Sequence, residues 1–269
     1  MPSVPHGIAG PWRGFRPGEE GSIGRHEDRD LHDRIIRHLT DASARSQGTI
    51  IEYLDPREAQ RAERFSRFLA RRYYRDRLIR GFRYSAKLVQ PQNIAYHVPD
   101  KPEFDPILNN CLLGSLTTSS AVGEIAVSEL LSLRNDVWWR ELLEYEHAFF
   151  LQLATSEAAS PGKFPRKGVS AVVRTFEFNL PELLARLKSG ETPADCAGEP
   201  VTLLFSRTHH GKIYVVHLDS MSAMVWQAID GQSTVETIAR SAGIAADEAR
   251  RVLTMLAEMG AVVVPLELN

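Results

Sequence analysis

The sequence predicts an α+β protein in two parts, an all-α N-terminal domain followed by a C-terminal unit of three strands plus three helices. Three observations carry this. Apolar positions recur at helical spacing from Asp28 to about Thr155. A Pro/Gly/Lys stretch, "SEAASPGKFPRKG" (Ser156 to Gly168), then breaks the pattern. Only after it do β-rich runs appear, and three helical segments close the chain. The expected division is a tail at 1–27, a helical domain at 28–157, a linker at 158–169 and the strand-and-helix unit at 170–269.

The N-terminal residues lack an apolar h-region and are not a secretory signal, and their Gly, Pro and Arg content reads as a flexible tail at 1–27. "LHDRIIRHLTDAS" places Leu31, Ile35, Ile36 and Leu39 at helical spacing. A second helix is expected from Asp55-Pro56, a cap followed by an N1 proline, with Gly81 ending or kinking it. "PEFDPILNNCLLGSL" and "SSAVGEIAVSELLSL" read as two more helices. "NDVWWRELLEYEHAFFLQLA" is apolar around most of its circumference, which predicts the central helix of an all-α bundle.

After the linker, "SAVVRTFEFN", "VTLLFSR" and "KIYVVHL" read as strands, the last two joined by a "THHG" hairpin turn containing Gly211. A short helix, "LPELLARLKSG", lies between the first two. Helices are expected at roughly Ser220–Ile229, Ser233–Ser241 and Ala246–Met259, followed by the apolar run "AVVVPLEL". The last two helices, in "TVETIARSAGIAADEARRVL", have the spelling of a helix-turn-helix, and strands plus three such helices make a winged-helix arrangement.

Composition sets outer bounds. The 269 residues are 43% hydrophobic and 25% charged with a formal net charge of −2, ordinary values for a soluble globular chain. Two cysteines, Cys111 and Cys196, lie far apart without C-x-x-C spacing, which argues against a disulfide scaffold and a thiolate zinc site. No apolar run is long enough to span a membrane, so a cytoplasmic location is expected.

A DNA-reading helix-turn-helix sets the N-terminal residues of its second helix against bases and phosphates. Here that helix opens on Ala245, Ala246, Asp247 and Glu248, whose carboxylates suit the helix dipole but repel phosphate. From Glu199 to Asn269 five Lys/Arg stand against eight Asp/Glu, a net of −3, which offers little phosphate neutralisation. Nucleic acid is therefore not an expected partner, and a winged-helix transcriptional regulator stays open as the alternative.

The stretch "KIYVVHLDSMSAMVWQAIDGQSTVETIARSAGIAADEARRVLTMLAEMGAVVV" resembles the PqqD-like fold of the RiPP recognition element. With "YYRDRLIRGFRYSAKLV" and "DVWWRELLEYEHAFFLQLA" ahead of it, most of the chain after residue 28 resembles the partner subunits of multinuclear non-haem iron-dependent oxidases, including those of 3-thiaglutamate biosynthesis. The resemblance implies a non-catalytic adaptor. It would hold the leader of a ribosomally made precursor peptide while a separate oxidase subunit, which carries the iron, oxidises a cysteine.

A recognition element binds its leader as an added strand on a free sheet edge. The candidate edge is Lys212, Ile213, Tyr214, Val215, Val216, His217 and Leu218, and alternation places Ile213, Val215 and His217 on one face. The candidate second wall is the last helix. There Ala249, Val252, Leu253 and Leu256 form the core stripe, leaving Arg250, Arg251, Thr254 and Met255 off it, some towards the groove. Two arginines suit acidic leader residues, or they are solvated surface.

Chemistry of the chain's own is not indicated. Glu144-x-x-His147 is half of the pattern that binds di-iron in helical bundles, without a second copy, so it reads as a packing pair or surface histidine. His209 and His210 read as exposed turn residues. There is no P-loop, G-x-S-x-G or G-x-G-x-x-G, and no cofactor is expected in this chain. The strong charge anomaly is Arg57–Lys87, with eleven Lys/Arg against three acids, a net of +8, interleaved with Phe65, Phe68, Tyr73, Tyr74, Phe82 and Tyr84. Arg with aromatics is the composition of interface cores and of RNA-stacking surfaces, or of a solvated helix with its aromatics in the bundle core. The resemblance implies docking on the oxidase, with Arg71, Tyr74, Arg75 and Arg83 as the candidate residues.

Overall fold

The computed structural model describes residues 33–41, 43, 44, 47, 56–89, 97–109, 111–157, 159, 160, 162–191 and 198–265. The expected tail at 1–27, Leu31, the cap Asp55, Cys196 and the end of the apolar run at 266–269 lie outside the described residues. The chain is α+β, with helices and two small antiparallel sheets.

The helical part comprises α1 (residues 33–40), α2 (Pro56–Gly81), α3 (Arg83–Leu88), a 3₁₀ turn at Val98–Asp100, α4 (Phe104–Asn109), α5 (Leu116–Leu131) and α6 (Val137–Ala154). Ser115 starts α5 by accepting the Thr118 N–H on its hydroxyl, as an N-cap serine does. The apolar stripe expected of α1 is only partly used: Ile35 and Ile36 stay exposed while His38 is buried. Gly81 is the last residue of α2 and lies against α6, where a Cβ would stand 2.8 Å from the Phe150 Cβ. Tyr74, Leu78, Phe82, Phe104, Trp139, Leu142 and Phe150 form the core of this part.

The second part carries β1 (Arg166–Lys167), β2 (Val172–Phe176), α7 (Leu180–Ser189), β3 (Val201–Arg207), β4 (Ile213–His217), α8 (Ser220–Ala228), α9 (Val235–Ala242), α10 (Ala246–Glu258) and β5 (Val262–Val263). The main sheet has the order β2-β3-β4 and is antiparallel throughout. The hairpin forms at the expected turn, where Thr208 and Lys212 close it and Gly211 N–H donates to Thr208 O.

Alternation gives this sheet two apolar faces. Val173, Leu204, Val216 and Leu218 pack on the cluster made by α8, α9 and α10. Val172, Phe176, Leu203, Phe205 and Val215 pack on Tyr145, Ala148 and Phe149 of α6. This corrects the expectation of an all-α bundle around α6. That helix is apolar on most sides because one side faces α2 and α5 and another faces a sheet. Helix α7 crosses over likewise, burying Leu183, Leu184 and Leu187 in the helical core.

The stretch expected as linker is in part a strand, since Arg166 pairs with Val263 and Lys167 with Val262. Its backbone groups thereby find partners in the C-terminal apolar run. At Gly260 (φ +72°) a Cβ would meet the Arg207 carbonyl oxygen at 2.4 Å, so only glycine lets the end of α10 lie against the end of β3.

Candidate functional site

Strand β4 is an outer strand of the sheet, and among the described residues nothing pairs with its far edge. Which backbone groups face outward follows from the ladder. The Leu218 N–H donates to Thr202 O and the Thr208 N–H donates to Lys212 O. In an antiparallel pair bonded and non-bonded residue pairs alternate. Lys212, Tyr214, Val216 and Leu218 therefore point their backbone groups at β3, while Ile213, Val215 and His217 point theirs outward. The side chains of Val216 and Leu218 are held by the helices behind the sheet and Val215 by the α6 side. His217 and Lys212 are exposed, and the Lys212 ammonium lies 4.5 Å from the Tyr214 ring centroid.

The expected core stripe of α10, Ala249, Val252, Leu253 and Leu256, is buried. The four residues off it divide between two adjacent helical faces. Arg250 pairs with Asp247 at 2.8 Å and reaches Glu236 at 3.8 Å, and its carbonyl accepts from the Thr254 hydroxyl. Arg251 and Met255, one turn apart, are exposed, and no ion pair involves Arg251 among the described residues. The Arg250 charge is thus tied to the α9–α10 surface, and Arg251 is the cation left open. At the start of α10 the Glu248 carboxylate accepts the Ala245 N–H, so both acids at this terminus are engaged with their own helix.

The proposed docking residues fare differently. Tyr74 is 0% exposed, its hydroxyl accepting the Gly114 N–H, which removes it from any docking face. Arg71 bonds to Pro99 O and Asp105, and Arg75 to Asp100. Both stitch α2 to the segment beside it. Arg83 is exposed and lies over the Tyr84 ring.

Two cavities were not foreseen. One, of about 710 Å³, is lined by Thr155, Arg207, His209, Thr254, Glu258 and Val263 among others. The other, of about 370 Å³, lies between α6 and β2 and is lined by Glu144, His147, Leu151, Val172 and Arg174. Both arise between elements far apart in sequence, so no local pattern announces them. His147 leans on Gly123, where a Cβ would come within 2.5 Å of the ring, and its Nε2 is buried without a partner. Burial, with the nearby Arg174 charge, lowers its pKa to about 4. Glu144 is exposed. Among the described residues no group of three or more His, Cys, Asp or Glu is placed to hold a metal ion.

The least expected group is Glu146. It is 1% exposed and accepts the Tyr84 N–H at 2.6 Å and the Ser85 N–H at 3.2 Å. It caps α3 from another helix, satisfying N-terminal donors that α3 cannot satisfy itself. Burial pushes its pKa up to about 7 against the lowering effect of these donors.

No protein-family model matches the chain, and no curated protein matches it. The described residues define a mixed helix-and-sheet chain whose β4 edge is unpaired among them. No described helix is long and apolar enough to cross a membrane.

Proposed function

We propose that the chain is a non-catalytic adaptor that holds the leader of a ribosomally made precursor peptide and presents its cysteine to a separate iron-dependent oxidase. The C-terminal part is read as a PqqD-like winged helix, supported by three antiparallel strands followed by three helices, the last two joined at Gly243. The observation that carries the reading is the outer edge of β4, with the backbone groups of Ile213, Val215 and His217 turned away from β3. An extended peptide gains main-chain bonds on such an edge, and flanking side chains supply selectivity. The acids at the start of α10 weigh against the DNA-reading alternative, because a recognition helix sets that terminus beside phosphates. Holding the peptide raises the effective concentration of the reacting cysteine at the partner's metal.

The test is titration of a labelled cysteine-containing precursor peptide, with a random DNA duplex as competitor. Proline at Val216 would break the β3–β4 ladder, so the informative substitution is His217→Pro, which removes an outward N–H from an exposed strand-end residue. It should weaken binding by about 1–3 kcal/mol while circular dichroism stays unchanged. Arg251→Glu should cost a similar amount where Arg251 meets a leader carboxylate, and Arg250→Ala much less. Tight duplex binding that falls steeply with salt, without peptide binding, would refute the adaptor and restore the regulator. A separate expectation is that the purified chain carries no stoichiometric iron. Elemental analysis finding two or more tightly held irons per chain would contradict it.

A further inference from the structure

The cationic residues of α2 sort into two sets. Arg67 pairs with Glu63, Arg71 with Asp105 and Arg75 with Asp100, while Arg77 is drawn against the Tyr73 ring and donates to Leu153 O. These hold the molecule together. Arg61 and Arg72 are exposed and have no ion-pair partner among the described residues, whereas Arg64 and Arg80, also exposed, bond within their own helix to Gln60 and the Asp76 carbonyl. They do not stand alone. Positions 61, 65, 68, 72, 75 and 79 follow a 4-3-4-3-4 spacing, which is a heptad stripe, occupied by Arg61, Phe65, Phe68, Arg72, Arg75 (its guanidinium already paired with Asp100) and Ile79. Phe65 is 51% exposed, Phe68 54% and Ile79 39%, and the opposite side of the same helix carries the buried Ser66, Ala70, Tyr74 and Leu78. The stripe runs for roughly 27 Å at 1.5 Å per residue.

We infer that this outward stripe of α2 docks an acidic amphipathic helix of a partner protein. The inference deepens the adaptor reading, from which it takes the existence of a partner. The spacing matches the anchor pattern by which one helix lies along another. Phe65 and Phe68 stack on each other, with centroids 6.4 Å apart and planes at 23°. They form one apolar knob between Arg61 and Arg72, rather than two separated faces for nucleobases. The flanking cations require the complementary helix to place carboxylates at the ends of its own apolar seam.

The probe is a fluorescein-labelled helical peptide of about three heptads with Leu at the a and d positions and Glu at e and g. A scrambled peptide of the same composition and a single-stranded oligouridylate serve as comparisons. Anisotropy with the full chain should show salt-dependent binding of the patterned peptide and little of the scrambled one. Phe65→Ala/Phe68→Ala should weaken it at least about tenfold, as expected of central aromatic anchors, and Arg61→Glu/Arg72→Glu should weaken it and flatten its salt dependence. Absence of binding, equal binding by the Phe double variant, or tighter binding of the oligouridylate would each overturn the inference. The assay contains no precursor peptide, so its outcome and that of the β4-edge titration are independent.

Discussion

Phe205→Ala should lower stability by about 3–5 kcal/mol, the range for deleting a buried phenylalanine. The ring is fully buried and stands edge-on to Tyr145 at 5.3 Å and to Phe176 at 6.4 Å between centroids. The substitution leaves a cavity and also removes two aromatic contacts, each worth about 0.5–1.5 kcal/mol beyond area. Because Tyr145 belongs to α6 and Phe176 to β2, the loss falls on the seam joining the two parts. Urea unfolding followed by tryptophan fluorescence should show a lower midpoint with the slope retained. Trp138 and Trp139 report on the helical core and Trp226 on the three-helix cluster. An unchanged midpoint would mean that the seam contributes nothing.

The second large effect is a dependence on pH centred on Glu146 and His147. Burial raises the Glu146 pKa from 4.5 to about 7, so between these values the folded chain keeps a proton that the unfolded chain has released. Its stabilising contribution is full below 4.5 and is lost as pH rises through 7. His147 has the opposite sign: its pKa falls from 6.5 to about 4, so its contribution is present above 6.5 and lost as pH falls through 4. The two slopes oppose each other between 4.5 and 6.5, and wild-type stability should be nearly flat there. Glu146→Gln keeps a neutral acceptor for the Tyr84 and Ser85 N–H groups and removes one slope. The variant should gain up to about 3 kcal/mol over wild type at pH 8, match it near pH 4.5, and lose stability steadily on acidification below 6.5. Parallel stability curves for the two proteins would disprove the assignment.

What was legible in the sequence was local. The period-2 runs became β2, β3 and β4, and the 3.6-period stripe of α10 became core, because each pattern lies within one element. The fate of an arginine lies outside it: Arg71 and Arg75 read as free cations until the acids at 100 and 105 came alongside, while Arg72, next in sequence to Arg71, points outward. The carboxylate of Glu146 left no trace because its partners are backbone N–H groups, which every residue but proline carries. The β1–β5 pairing joins segments some 95 residues apart, beyond the reach of periodicity. The free edge of β4 was visible as a strand, but the side to which its odd-numbered residues turn their amides needed the register.

The mounting of the sheet on α6 has a consequence for distance. Arg207 donates to the carbonyls of Thr155 and Gln152 at the C-terminal end of that helix, and Gln152 and Ser170 bond to each other on the same side. The central strand β3 is thus anchored to the body that carries α2, β4 is bonded along β3, and on the adaptor reading proposed above a peptide laid along β4 would acquire a fixed origin. From that origin the chain counts itself out at about 3.3 Å per extended residue. Inserting or deleting residues between the bound segment and a modified residue would move the target stepwise past a stationary point, so the molecule would measure position along its cargo as a gauge block does.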